Sequence, residues 1–224
     1  MKGHFYKDLL LLQDFIIIFL SVDVMFAVFI GGILIHADPS EIGKDLKTIS
    51  FSLFILLNIV QLIVSNSMVN DSKSGYLYNV LTQPLPRKNY IISKYCLSVS
   101  LSFLFTLILV SGGVVGIAIR DTGIPEEIFL FLAGLSVVMF FGMASLSVNS
   151  VSIFMKFGNS AGFNIWRIFI ALPQLVLYGY LFTAISSDGK EVNMKVPLAV
   201  AAVSVLMSII LLPLGLKWTE KKEL

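Results

Sequence analysis

Residues 90–119, YIISKYCLSVSLSFLFTLILVSGGVVGIAI, decide the fold, because thirty consecutive residues carry one formal charge, on Lys94. A bilayer core about 30 Å thick needs roughly 20 apolar residues at the helical rise of about 1.5 Å each. This run therefore crosses a membrane with length to spare, either tilted or projecting at its ends. It is continuous rather than alternating, so it reads as a helix and not as a barrel strand. Five further runs have the same character: 15–35, 49–68, 128–157, 163–185 and 196–216. The expected fold is an all-α polytopic membrane protein with six spans in one domain covering residues 1–224.

Composition agrees with lipid as the solvent. Of 224 residues, 57% are hydrophobic and 13% charged, half the charged share of a soluble domain. The 14 acids and 16 bases nearly cancel, so placement matters more than the total. Lys2, Lys7, Lys73, Arg87, Lys88, Lys94, Lys156, Lys217, Lys221 and Lys222 fall on one set of connections. Only Lys44, Lys47, Arg120, Lys190 and Lys195 fall on the other, among Asp38, Glu41, Asp45, Asp121, Glu126, Glu127, Asp188 and Glu191. The positive-inside rule puts the first set, and with it both termini, in the cytoplasm.

The leading segment MKGHFYKDLLLLQ places Phe5, Leu9 and Leu12 at helical spacing, with Lys2, Lys7 and Asp8 at other angles. It reads as an N-terminal interfacial helix, or as an extension of the first span. Asp14 and Asp23 interrupt the apolar run, and no small-residue cleavage site follows, so a cleavable signal is not expected. The lone Cys96 excludes an internal disulfide.

The longest cytoplasmic connection is MVNDSKSGYLYNVLTQPLPRKNYIISKY, residues 68–95. Tyr76 with Val80, and Leu77 with Leu81, stand at helical neighbour spacings, which predicts a short helix within 71–82. Ser72 or Ser74 is a candidate cap, and Pro84 and Pro86 end the helix. Arg87, Lys88 and Lys94 then flank the third span and suit an anionic inner leaflet.

Asp71, Gly75, Tyr76, Pro84, Arg87, Tyr90, Lys94 and Tyr95 together resemble the signature of small ABC-2-type exporter permeases. Gln83 stands where that family usually has leucine and Pro86 where it has serine, which affects the helix boundary. Six spans, a leading helix and this length match as well, and the six-span permeases of cytolytic-peptide (phenol-soluble modulin) exporters are similar. The resemblance implies a permease of the bacterial plasma membrane that moves a hydrophobic or amphipathic cargo outward. It implies a coupling helix between spans 2 and 3 that docks on a separate cytoplasmic ABC ATPase subunit, which holds the ATP and magnesium. Tyr76, Tyr78 and Asn79 would supply contacts there, and Arg87 and Lys88 would pair with acidic groups or lipid phosphate. A second copy or a related permease would complete the membrane part, and no nucleic acid is expected. The alternative is a non-transporting scaffold or immunity protein.

Within the spans, Asp23 lies near mid-bilayer, where an acid is costly and usually faces a partner or a wet cavity. Arg167 is its candidate partner, and a structural ion pair and a cargo contact are both open. Gly112, Gly113, Gly116 and Gly142 permit close helix approach, within the chain or across a dimer seam. Pro173 and Pro213 predict kinks. No Gly-rich phosphate loop, HExxH or G-x-S-x-G occurs, and His4 and His36 fall at opposite membrane faces. The chain is therefore expected to have no catalytic machinery and to bind no metal.

Overall fold

The computed structural model describes residues 2–36, 48–49, 55–82, 87–120, 126–158 and 195–221, together with Asn164 and Ile168. Seven α-helices account for almost all of them: α1 (Lys2–Leu11), α2 (Gln13–His36), α3 (Ile59–Lys73), α4 (Tyr76–Thr82), α5 (Lys88–Ile119), α6 (Glu126–Phe157) and α7 (Lys195–Lys221). A 3-10 turn, Ile55–Asn58, leads into α3, and no strand occurs among the described residues. Four stretches are long and apolar enough to cross a membrane: Gln13–His36, Lys88–Ile119, Ile128–Phe157 and Ala201–Glu220. The chain is a helical, multi-pass membrane protein. The second expected span corresponds to α3 and its leading turn, a shorter and more polar helix that ends in Asn70, Asp71 and Lys73. Of the fifth, Asn164 and Ile168 alone are described, and Arg167 lies outside the described residues.

The helices α1 and α2 are nearly one. Only Leu12 separates them, and i to i−4 bonds run across the join, from the Leu12 N–H to the Asp8 carbonyl and from the Ile16 N–H to the Leu12 carbonyl. Together they run parallel to α5 in a constant register. Asp8 meets Lys94 and the Leu34 carbonyl accepts from Arg120, both at a sequence separation of 86. Between these ends Ala27 and Gly31 face Gly112 and Gly116, where backbones touch. A Cβ on Gly116 would lie 2.6 Å from the Gly31 carbonyl oxygen, and one on Gly112 would collide with the Ala27 carbonyl. These glycines are thus taken up by intramolecular packing, not by a dimer seam. Gly113 meets Leu132 of α6 instead.

The central helix is α6, in which every residue from Gly142 to Met155 is buried. Small polar side chains let three neighbours approach it. Ser150 bonds Ser65 of α3 at 2.9 Å, Ser147 donates to Ser98 of α5 at 2.7 Å, and Ser152 bonds Tyr95 of α5 at 2.7 Å. On the α7 side, Gly215 leaves room for Tyr95 and Ser152, and the Tyr95 hydroxyl reaches the Leu212 carbonyl beside Pro213. The helices α6 and α7 are parallel, since Ser208 reaches the Ser145 carbonyl and Lys156 lies over Trp218. Outward-facing Phe103, Leu107, Val114, Val203, Ile209 and Ile210 are exposed, as lipid-facing side chains are.

The turn between α3 and α4 uses a left-handed residue. Ser74 caps α3 through its N–H to the Asn70 carbonyl, and Gly75 follows at φ +71°, the conformation in which glycine is the least strained residue. The Gly75 carbonyl then accepts from Asn79 to open α4. The expected helix over 71–82 is accordingly split. Asp71 and Ser72 close α3, α4 starts at Tyr76, and the Ser74 hydroxyl turns back to the Asp71 carbonyl rather than capping forward.

Candidate functional site

Where α1, α3, α4 and α5 meet, the end of the bundle nearest both termini holds a buried ion cluster. Lys94 is fully buried, and a lone ammonium there would be strongly disfavoured. It is stabilised by three acceptors: Asp71 Oδ2 at 2.7 Å, Asp8 Oδ1 at 2.8 Å and the Ser67 hydroxyl at 2.5 Å. Asp71 also binds Lys7 through Oδ1 and accepts the Tyr90 hydroxyl at 2.9 Å. Lys7 lies 3.4 Å from Asp8, and its ammonium stands over the Tyr76 ring, 3.6 Å from the centroid. Two ammonium groups thus face two carboxylates, and the cluster is neutral. This corrects the expectation that Lys94 addresses the lipid headgroups: two carboxylates at hydrogen-bond distance take the place of water and phosphate.

His4 joins the cluster to the loop helix. Its Nδ1 is 2.7 Å from the Tyr76 hydroxyl, and its ring meets those of Tyr76 and Tyr90 edge-on, with centroids 6.0 and 6.1 Å apart. Burial lowers the His4 pKa from 6.5, helped by the positive charge of the amino-terminus and of Lys7. Burial, and then Asp71 and Asp8, raise that of Tyr76, which stays a phenol and shares a hydrogen bond with His4 Nδ1.

The expected site residues distribute as follows. Asp71 is the hub, Gly75 makes the turn, and Tyr76 is the contact from α4 to α1. Tyr78 and Asn79 lie on the exposed side of α4, each with a contact of its own. Arg87 precedes α5 and Lys88 begins it, paired at 2.7 Å with Glu220 near the end of α7. Pro84 lies outside the described residues. Asp23 is distant from this cluster. It is fully buried on the α2 ridge that continues to Ala27 and Gly31, and its carboxylate has no hydrogen-bond partner among the described residues.

The cluster members not singled out from sequence are His4, Lys7, Asp8 and Ser67. For Lys7 and Asp8 the sequence offered a signal, an adjacent cation–anion pair ahead of a long apolar run. The arrangement is a joint in which two ammonium groups and two carboxylates pair, with Asp8 Oδ2 left without a hydrogen-bond partner among the described residues. No group of three metal-ligating side chains occurs among the described residues. No protein-family model, curated protein or solved structure matches the chain.

Proposed function

We propose that the chain is the permease subunit of an ABC exporter, with six spans, cytoplasmic termini and α4 as the helix that receives a separate ATPase subunit. The observation that carries this reading is the joint itself. A seven-residue helix is too short to be stable alone, yet α4 is joined through Tyr76 to His4 and Lys7 of α1, which pairs in turn with Asp71 of α3 and, through Asp8, with Lys94 of α5. A push on its exposed Tyr78–Asn79 side would reach α1, α3 and α5 together, as a coupling helix requires. Directionality supports the six crossings. The helices α6 and α7 run parallel, as they would with one further span between them. The α1 helix continues the α2 register, so it projects from the first span into the cytoplasmic interface.

The cargo in this reading is amphipathic or hydrophobic, and the chain supplies no catalysis. Affinity purification of the full-length chain from its native membrane, after mild cross-linking, tests it. A P-loop ATPase should co-purify, with its ATPase rate altered by the permease. The double reversal Arg87→Glu with Lys88→Glu should abolish the association, and adding Glu220→Lys, which restores the Lys88 ion pair, should not rescue it. Absence of any ATPase, with unchanged cell phenotype in the reversed variant, would replace this reading with a non-transporting scaffold or immunity protein.

A further inference from the structure

The grip of α1 on α4 is narrow. Along its other edge a groove of about 640 Å³ separates Phe5, Tyr6 and Leu9 from Ser93, Cys96 and Ser100 of α5. The first turn of α1 therefore borders open space on that edge, and it is held by Phe5 against the core and by His4 and Lys7. The His4 imidazole faces ionisable groups from every side: the amino-terminus, Lys7 and Asp8 on its own segment, Asp71 of α3, Tyr76 of α4, and Tyr90 and Lys94 of α5. Lys7 and Lys94 balance Asp8 and Asp71, the amino-terminal charge bears on His4 as well, and a proton on His4 adds one more cation.

We propose that His4 and Tyr76 form a proton-operated catch, closed when neutral His4 accepts the Tyr76 hydroxyl and opened when protonation adds a further cation beside Lys7 and Lys94. In the tautomer whose Nδ1 accepts from Tyr76, the proton goes to that nitrogen, so the step removes the acceptor and adds like-charge repulsion at once. Opening releases the first turn of α1 from Tyr76, while Leu77 and Val80 keep α4 packed in the core. The lowered His4 pKa has the matching sign. A group depressed in the closed state favours that state above 6.5 and ceases to do so as pH falls. Each pH unit of depression multiplies the open-to-closed ratio by about tenfold once both forms are protonated.

The regulatory meaning rests on α4 being the coupling helix, but the catch itself is testable without an ATPase. The full-length chain in nanodiscs, with Cys96→Ser, would carry spin labels at Gly3→Cys and Tyr78→Cys. A Cβ at Gly3 meets nothing within 4 Å, so the label is tolerated. Pulsed dipolar spectroscopy should give one short distance at pH 7.5 and a second, longer population on acidification. His4→Gln, which keeps an acceptor but does not titrate, should stay closed at both pH values. Tyr76→Phe should open independently of pH. An unchanged distribution in the parent between pH 7.5 and 5 would overturn the catch, and so would the same acid opening in His4→Gln. Loss of ATPase association with the catch intact would instead count against the exporter reading alone.

Discussion

Replacing Lys94 with methionine keeps the length and bulk of the side chain and removes its charge. In the native cluster Lys94 makes three polar contacts of 2.5 to 2.8 Å with no solvent exposure. Its loss leaves Asp8 and Asp71 with Lys7 as the sole counter-ion, and the cluster goes from neutral to a net charge of −1. Removing one partner of a buried pair costs about 3–5 kcal/mol, because the remaining charge stays desolvated. Lys94→Met should therefore lower stability by about that amount. Asp8→Asn should cost a similar amount, since it leaves a net charge of +1. The double variant restores neutrality with Lys7 and Asp71, so it should be less destabilised than the sum by about 2 kcal/mol. Unfolding of the full-length chain in mixed micelles titrated with dodecyl sulfate, followed by tryptophan fluorescence, reads all three. A Lys94→Met protein within about 0.5 kcal/mol of the parent, or strictly additive changes, would refute the cluster as drawn.

Four further outcomes follow from the packing. Gly112→Val must push α2 away from α5 because the obstacle is the Ala27 backbone; a loss of about 3 kcal/mol is expected in the same titration. Gly215→Ala meets the Tyr95 hydroxyl and Ser152. It should destabilise the parent, and less so a Tyr95→Phe background, with the difference measured as a coupling energy. Tyr95→Phe alone should cost about 0.6–1 kcal/mol, the usual worth of a hydrogen bond between membrane helices. Asp23→Leu should stabilise the isolated protein by about 1–3 kcal/mol, since the acid is buried without a partner among the described residues; a decrease would locate a partner elsewhere in the chain.

The lipid-crossing helices were legible because their apolar runs are long and uninterrupted, and α2, α5, α6 and α7 begin and end within a few residues of the runs except at the tail of α7. The loop helix was legible in kind from Tyr76, Leu77 and Val80, but its start was misplaced. Gly75 breaks the helical path through its backbone angle, and spacing alone does not report that angle. The ion cluster was only half visible. Asp71, Tyr90 and Lys94 stood out within one short segment, whereas Asp8 and Lys7 lie 86 and 64 positions from their partners. A lysine at the edge of an apolar run looks identical whether it meets phosphate or two carboxylates. Only the packing of α1 on α5 decides between them.

That packing sets a length rule. From Asp8 to Leu34 and from Lys94 to Arg120 the chain counts off the same number of residues, and the two segments are pinned to each other at the bottom, in the middle and at the top. One residue added to either segment would rotate everything beyond it by about 100°. The ion cluster and the glycine seam could not then both form. Insertions and deletions in these two stretches are therefore tolerated only in matched pairs, one in each helix at the same height. Descendants of this sequence should keep the two segments equal in length even where the residues between the pins have changed entirely.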